Sequence, residues 1–144
     1  MEKKPDTSGW TPVGSTSKCD CYAVTPWLAV MVPHQGMRDT AESAREQVEW
    51  QDAYWARLGH PGCFAIYMDN IVDQDAGARD VYAEETHGSM TLCYALIGST
   101  FWGRAIAAVY TGLKRPPITT RFFATLDDAM PWLESMARAA RSTG

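Results

Sequence analysis

The chain has 144 residues, a mass of 16.0 kDa, a formal net charge of −4 and a pI near 5.3. Hydrophobic residues make up 46% and charged residues 21%, the balance of one ordinary globular domain and not of a disordered chain or a fibre. The acidic balance excludes a basic nucleic-acid footprint, and no apolar run approaches the roughly 18 residues of a membrane span.

The N-terminus, MEKKPDTSGW, carries lysines but no apolar signal core, so a cytoplasmic location with no integral membrane segment is the expectation. Residues 1–18 are rich in Lys, Pro, Ser, Thr and Gly and read as a flexible tail, with Trp10 as one anchor. Residues 19–144 then form a single domain. CYAV and LAVMV are two short strands joined tightly through Thr25, Pro26 and Trp27. Asp39 or Thr40 opens a helix that runs to about Leu58 and stops at Gly59. Asp39 can accept from the first-turn amides, and Glu42 stands in capping-box position. Ala41, Ala44, Val48, Trp55 and Leu58 fall on one face of this helix, whereas Trp50 and Tyr54 form a second stripe beside it.

CFAIYM is apolar throughout and reads as a central strand covered on both faces. Asp75 caps a second helix to about Glu85, and TLCYALIG is another buried strand. Ser99 or Thr100 opens a third helix with Trp102, Ala105, Ile106, Val109, Tyr110 and Leu113 as its apolar stripe. TTRFFAT is the last strand, and Thr125 with Asp128 caps a final helix that contains Pro131. Pro131 removes an amide donor and should bend that helix or shorten its first part. The order ββαβαβαβα predicts an α/β fold: a mainly parallel or mixed five-stranded sheet with about four helices packed on it.

The segments YMDNIVDQDAGARDVYAEE, YALIGSTFWGRAIAAVYTGL and TRFFATLDDAMPWL resemble STAS-type proteins of the SpoIIAA-like (STAS/SEC14) branch over residues 19–138. The resemblance implies a non-enzymatic switch or scaffold module that acts through protein–protein contact, with related proteins binding small or lipidic ligands. In the anti-sigma-factor antagonists of this group a serine after the central strand is phosphorylated. The matching stretch here, Asp73-Gln74-Asp75-Ala76-Gly77, has no Ser or Thr, so Asp73, Asp75 and Ala76 stand at the switch position without the phosphoserine. Asp75 there places a permanent negative charge near a helix N-terminus.

Asp69, Asp73, Asp75 and Asp80 cluster after the central strand but lack calcium-loop spacing, and capping and loop solvation account for them. Cys19-x-Cys21 lacks the second ligand pair of a zinc site, and Cys63 and Cys93 lie in apolar strands, so no metal is assigned. No phosphate-cradling loop occurs, and neither a cofactor nor a catalytic residue is assigned. Ser99 and Thr100 at a helix start, with Arg104 one turn on, are candidates for an anion or ligand site, although capping alone explains the two hydroxyls. Six Trp and six Tyr exceed what a modest core needs. Trp50 and Tyr54, off the core stripe, are interface candidates unless the N-terminal tail covers them. Ala107 and Thr111, on a weakly polar helix face, point to a homodimer. Two other readings stand beside the interaction module: a binder of a small hydrophobic or lipidic ligand between the sheet and the third helix, and a small isomerase or cyclase with an aromatic pocket.

Overall fold

A computed structural model describes residues 5–85, 90–100, 105 and 118–143. The chain runs β1 (Thr11–Ser15), β2 (Cys19–Thr25), β3 (Leu28–Pro33), β4 (Met37–Asp39), α1 (Ala41–Leu58), β5 (Gly62–Tyr67) and β6 (Ile71–Gln74). It continues through α2 (Ala76–Glu85), β7 (Thr91–Ile97), β8 (Thr119–Phe123) and α3 (Leu126–Thr143). The main sheet is six-stranded, in the order β1-β2-β3-β5-β7-β8. Its first three strands pair antiparallel, and β3, β5, β7 and β8 pair parallel. The mixed α/β architecture is as expected, but the strand count is not. β1 adds a sixth strand to the sheet, and β4 and β6 form a separate two-stranded parallel ribbon. Residues 101–104 and 106–117, which make up most of the expected third helix, lie outside the described residues.

The alternation of β5 explains the layering, since successive side chains of a strand point to opposite faces. Phe64 and Ile66 join Met31, Tyr94 and Leu96 on one face, under Tyr54 and Trp55 of α1. Cys63 and Ala65 join Val30, Cys93, Ala95 and Ile97 on the other, under Ala129 and Leu133 of α3. Ala44 and Val48 of α1 pack against Ala78, Val81 and Tyr82 of α2 in a third cluster.

Three sequence expectations are corrected here. Residues 11–15 belong to the sheet and not to a flexible tail, because Val13 packs into one core face and Trp10 into the other. Pro12 is tolerated since β1 is an edge strand. Gly14 is required by a close approach: a Cβ there would stand 2.9 Å from the Trp50 indole nitrogen. The buried stripe of α1 is Ser43, Ala44, Gln47, Val48, Gln51, Tyr54 and Trp55, whereas Leu58 is 42% exposed. Tyr54 therefore belongs to the core stripe. Thr40, not Asp39, is the N-cap, and Ser43 closes the capping box.

α3 starts behind the Thr125 cap as expected, with the Asp128 amide donating to Thr125 Oγ1 at 3.1 Å. Pro131 does not shorten it, and the helix runs on to Thr143. Pro131 is exposed and has no amide to offer the Asp127 carbonyl. Pro131→Ala should therefore stabilise the protein, by up to about 3 kcal/mol. Urea unfolding of the two chains checks this. An unchanged or lowered midpoint would show that the proline fits its site without penalty.

Candidate functional site

Two polar assemblies stand out, one within the fold and one at the end of the sheet. The first centres on Asp39. β4 ends at this residue and Thr40 caps α1, so the carboxylate sits beside the first turn of the helix. Lys18, on the β1–β2 connection, donates from Nζ to Asp39 Oδ2 at 2.7 Å and to the Tyr82 hydroxyl oxygen at 2.6 Å. The Tyr82 hydroxyl donates to Asp39 Oδ2 at 2.7 Å, Ser43 Oγ to Oδ1 at 2.7 Å and Gln74 Nε2 to Oδ2 at 3.2 Å. Lys18 is 2% exposed and Asp39 1%. Burial alone would raise the Asp39 carboxyl. The Lys18 charge and the hydrogen bonds from Lys18, Ser43 and Tyr82 outweigh it and hold the group below the ordinary aspartate value. Next to this lock, Tyr94 Oη donates to Gln51 Oε1 at 2.6 Å, and Gln51 Nε2 approaches Met31 Sδ at 3.0 Å.

A depression of about 30 Å³ adjoins these groups, lined by Lys18, Gln47, Tyr82 and Tyr94 with Ile66, Met68 and Leu96. It admits a water or two, far less than the roughly 300–1,000 Å³ of a ligand pocket. The lock ties together three segments distant in sequence, and this is its evident role.

The second assembly is at the carboxyl ends of the parallel strands, where open α/β sheets place their sites. Asp69 follows β5, and Ser99 and Thr100 follow β7. Both backbone amides and both hydroxyls donate to the Asp69 carboxylate, at 2.8–3.1 Å. Burial would raise this carboxyl too, but the Thr100 and Ser99 donors hold it low. This corrects the anion-site expectation. The Ser99 and Thr100 donors already hold an anion, and it is the protein's own. Arg104, the third candidate, lies outside the described residues. Beside Asp69 a cleft of about 390 Å³ opens, lined by Trp10, Tyr67, Asp6, Thr125 and Asp127 among others. Trp10 stands 6.5 Å from Tyr67 and 5.9 Å from Tyr22, ring centre to ring centre. Sequence reading missed this cleft because its aromatics come from segments that only the fold brings together.

At the switch position Asp75 is the N-cap of α2, accepting the Ala78 amide at 2.8 Å on Oδ1. Asp73 faces Arg38 at 3.9 Å on the surface, and Asp73, Asp75 and Ala76 are all exposed. The interface expectation for Trp50 and Tyr54 is corrected. Tyr54 is 4% exposed, and Trp50 is half-buried, stacked on Tyr54 at 5.1 Å and covered by Gly14 of β1. Ala107 and Thr111 lie outside the described residues.

Cys19, Cys21, Cys63 and Cys93 are free and buried, and burial pushes the Cys19 thiol up to about 12, away from the reactive thiolate. Among the described residues no group of three or more His, Cys, Asp or Glu side chains could hold a metal ion. Among them, too, no helix is long and apolar enough to cross a membrane.

A mixed sheet with helices on both faces, an antiparallel edge and a parallel core defines the class, which is the SpoIIAA-like α/β fold. The same fold is described for the crystal structure of an uncharacterized protein of the DUF3478 family from Shewanella loihica PV-4. The two share 16% identity at a TM-score of 0.52, over 86% of this chain and 91% of that one. The chain belongs to the family described as domain of unknown function DUF7793, whose model matches residues 42–137. No curated protein matches it.

Proposed function

We propose that this protein is a non-enzymatic, STAS-like regulatory or scaffold module that works through protein–protein contact without a phosphoserine. The observation that supports this reading is the surface at the start of α2. There Asp75 supplies a fixed negative charge as the helix cap, with exposed Asp73 beside it. A carboxylate at a helix N-terminus is favoured by the helix dipole and needs no kinase. Self-association through the face that carries Ala107 and Thr111, and a cytoplasmic location, belong to the same proposal.

The test uses the double variant Asp73→Asn, Asp75→Asn. Asn is as good a helix cap as Asp, so the fold should be kept while the charge is removed. Affinity capture from the source cells is followed by direct titration of any protein that the wild-type chain retains. Loss of both charges should weaken binding about threefold or more, mainly through slower association. Equal binding by the two chains would remove the α2 surface from the proposal. Incubation with an antagonist-type kinase and ATP should leave residues 73–77 free of phosphate.

A further inference from the structure

The cleft at the carboxyl ends of β5, β7 and β8 has a volume of about 390 Å³, within the roughly 300–1,000 Å³ range of small-molecule sites. Its walls combine two aromatic rings with three carboxylates, and among the described residues that line it none is Lys, Arg or His. This end of a sheet usually receives anions at helix starts and strand ends. Here those positions are already filled from within. The Ser99 and Thr100 donors hold Asp69, and the first turn of α3 carries Asp127 and Asp128. An incoming anion would meet carboxylates. A cation would meet Asp127 and the ring faces of Trp10 and Tyr67, whose centres are 6.5 Å apart and whose planes are inclined by 41°. A cation within about 6 Å of a ring centre is attracted to its face, and two ring centres 6.5 Å apart can both lie within that reach of one group.

The chemistry of the walls narrows the cation further. Asp69 has both oxygens engaged by Ser99 and Thr100, and Asp6 accepts from the Ser8 amide at 3.0 Å. A primary ammonium has three N–H donors to satisfy, and two of the three carboxylates already accept hydrogen bonds from the protein. A fully alkylated, quaternary ammonium has none and gains from the rings instead. Burial and the nearby Asp127 charge push the Tyr67 phenol up to about 12, so this wall stays neutral. We infer that the Trp10–Tyr67–Asp127 cleft is a binding site for a small alkylated ammonium ligand. The inference is independent of the interaction surface at α2.

Calorimetric titration of the full chain with choline tests it, beside two further probes. One is 3,3-dimethylbutan-1-ol, which has the same shape without the charge, and the other is inorganic phosphate. Choline should bind about tenfold tighter than the neutral alcohol, and phosphate should not bind. Asp127→Asn, at an exposed position that can be changed without disturbing the core, should weaken choline about threefold, and added salt should do the same. Trp10→Ala should weaken it about tenfold, and Trp10→Phe should restore most of the loss. Equal affinity for choline and the alcohol would reduce the cleft to an apolar groove and overturn the inference. So would tighter binding of phosphate, or no choline binding at about 10 mM, below the weakest affinity worth calling a site.

Discussion

Replacing Asp39 by Ala should remove about 3–5 kcal/mol of stability, a large part of the roughly 5–15 kcal/mol that holds a domain together. The reason is what stays behind. Lys18 is 2% exposed and has two partners, Asp39 and the Tyr82 oxygen. Without the carboxylate, a buried ammonium faces only a phenol. The opposite deletion is gentler. Lys18→Met leaves Asp39 with the donors of Ser43, Tyr82 and Gln74, and methionine fills much of the lysine stem's volume. Denaturant unfolding of the two single variants and the double should therefore show Asp39→Ala as clearly the worse single change. The double variant should be less destabilised than the sum of the singles, as expected of residues in contact. An Asp39→Ala protein with a normal midpoint, or one more stable than Lys18→Met, would refute the lock.

The same network fixes a pH dependence. The Asp39 carboxyl is held below its ordinary value in the folded protein, so the unfolded chain binds more protons at acid pH. The stability this contributes is complete above the unfolded aspartate value of about 3.9. It is lost as the pH falls through the lower folded value. Asp69 is shifted in the same direction and adds to the effect. Urea midpoints of the wild-type chain should therefore decline below about pH 4, and those of Asp39→Ala should decline less steeply.

Neither the lock nor the cleft was legible in the sequence, and the causes differ. Periodicity marks apolar residues, and a buried Lys or Asp carries no such mark until the partner is known. Asp39 stands one residue before a real N-cap, so capping explained it well enough to hide its other role. β4 and β6 span only Met37–Asp39 and Ile71–Gln74, too short for an alternating pattern to emerge. Gln47 and Gln51, both buried, break the apolar stripe of α1, and this displaced Tyr54 from the core in the sequence reading. In contrast, β5, β7, α2 and α3 were legible because apolar runs, caps and turn residues agree with one another there. At Ser99 and Thr100 the sequence marks the donors, and only the fold could reveal that Asp69 already takes them.

Ile66→Asp should abolish folding. Ile66 sits in the middle of β5, in register with Met31 on β3 and Leu96 on β7, and is 6% exposed. Its neighbours in that core face include Met31, Phe64, Tyr94 and Leu96, and Lys18, which lines the same small depression, is already paired with Asp39, so a carboxylate there would have no cation of its own and little water. Truncation is the graded version of the experiment. Ile66→Ala should cost about 2–5 kcal/mol, from lost transfer energy and the cavity left behind. The surface control has to be chosen with the fold in view. Glu46 looks free on the polar side of α1, yet its carboxylate accepts from the Ser17 amide at 3.1 and 3.2 Å and from the Ser17 hydroxyl. Glu49 is exposed, and Glu49→Asp should shift stability by less than about 0.5 kcal/mol. Urea unfolding of Ile66→Ala and Glu49→Asp, with circular dichroism of Ile66→Asp, gives the three readings. A folded Ile66→Asp chain with a normal midpoint would mean that β5 is not the covered centre of the sheet, and the packing of α1 and α3 on its two faces would fail with it.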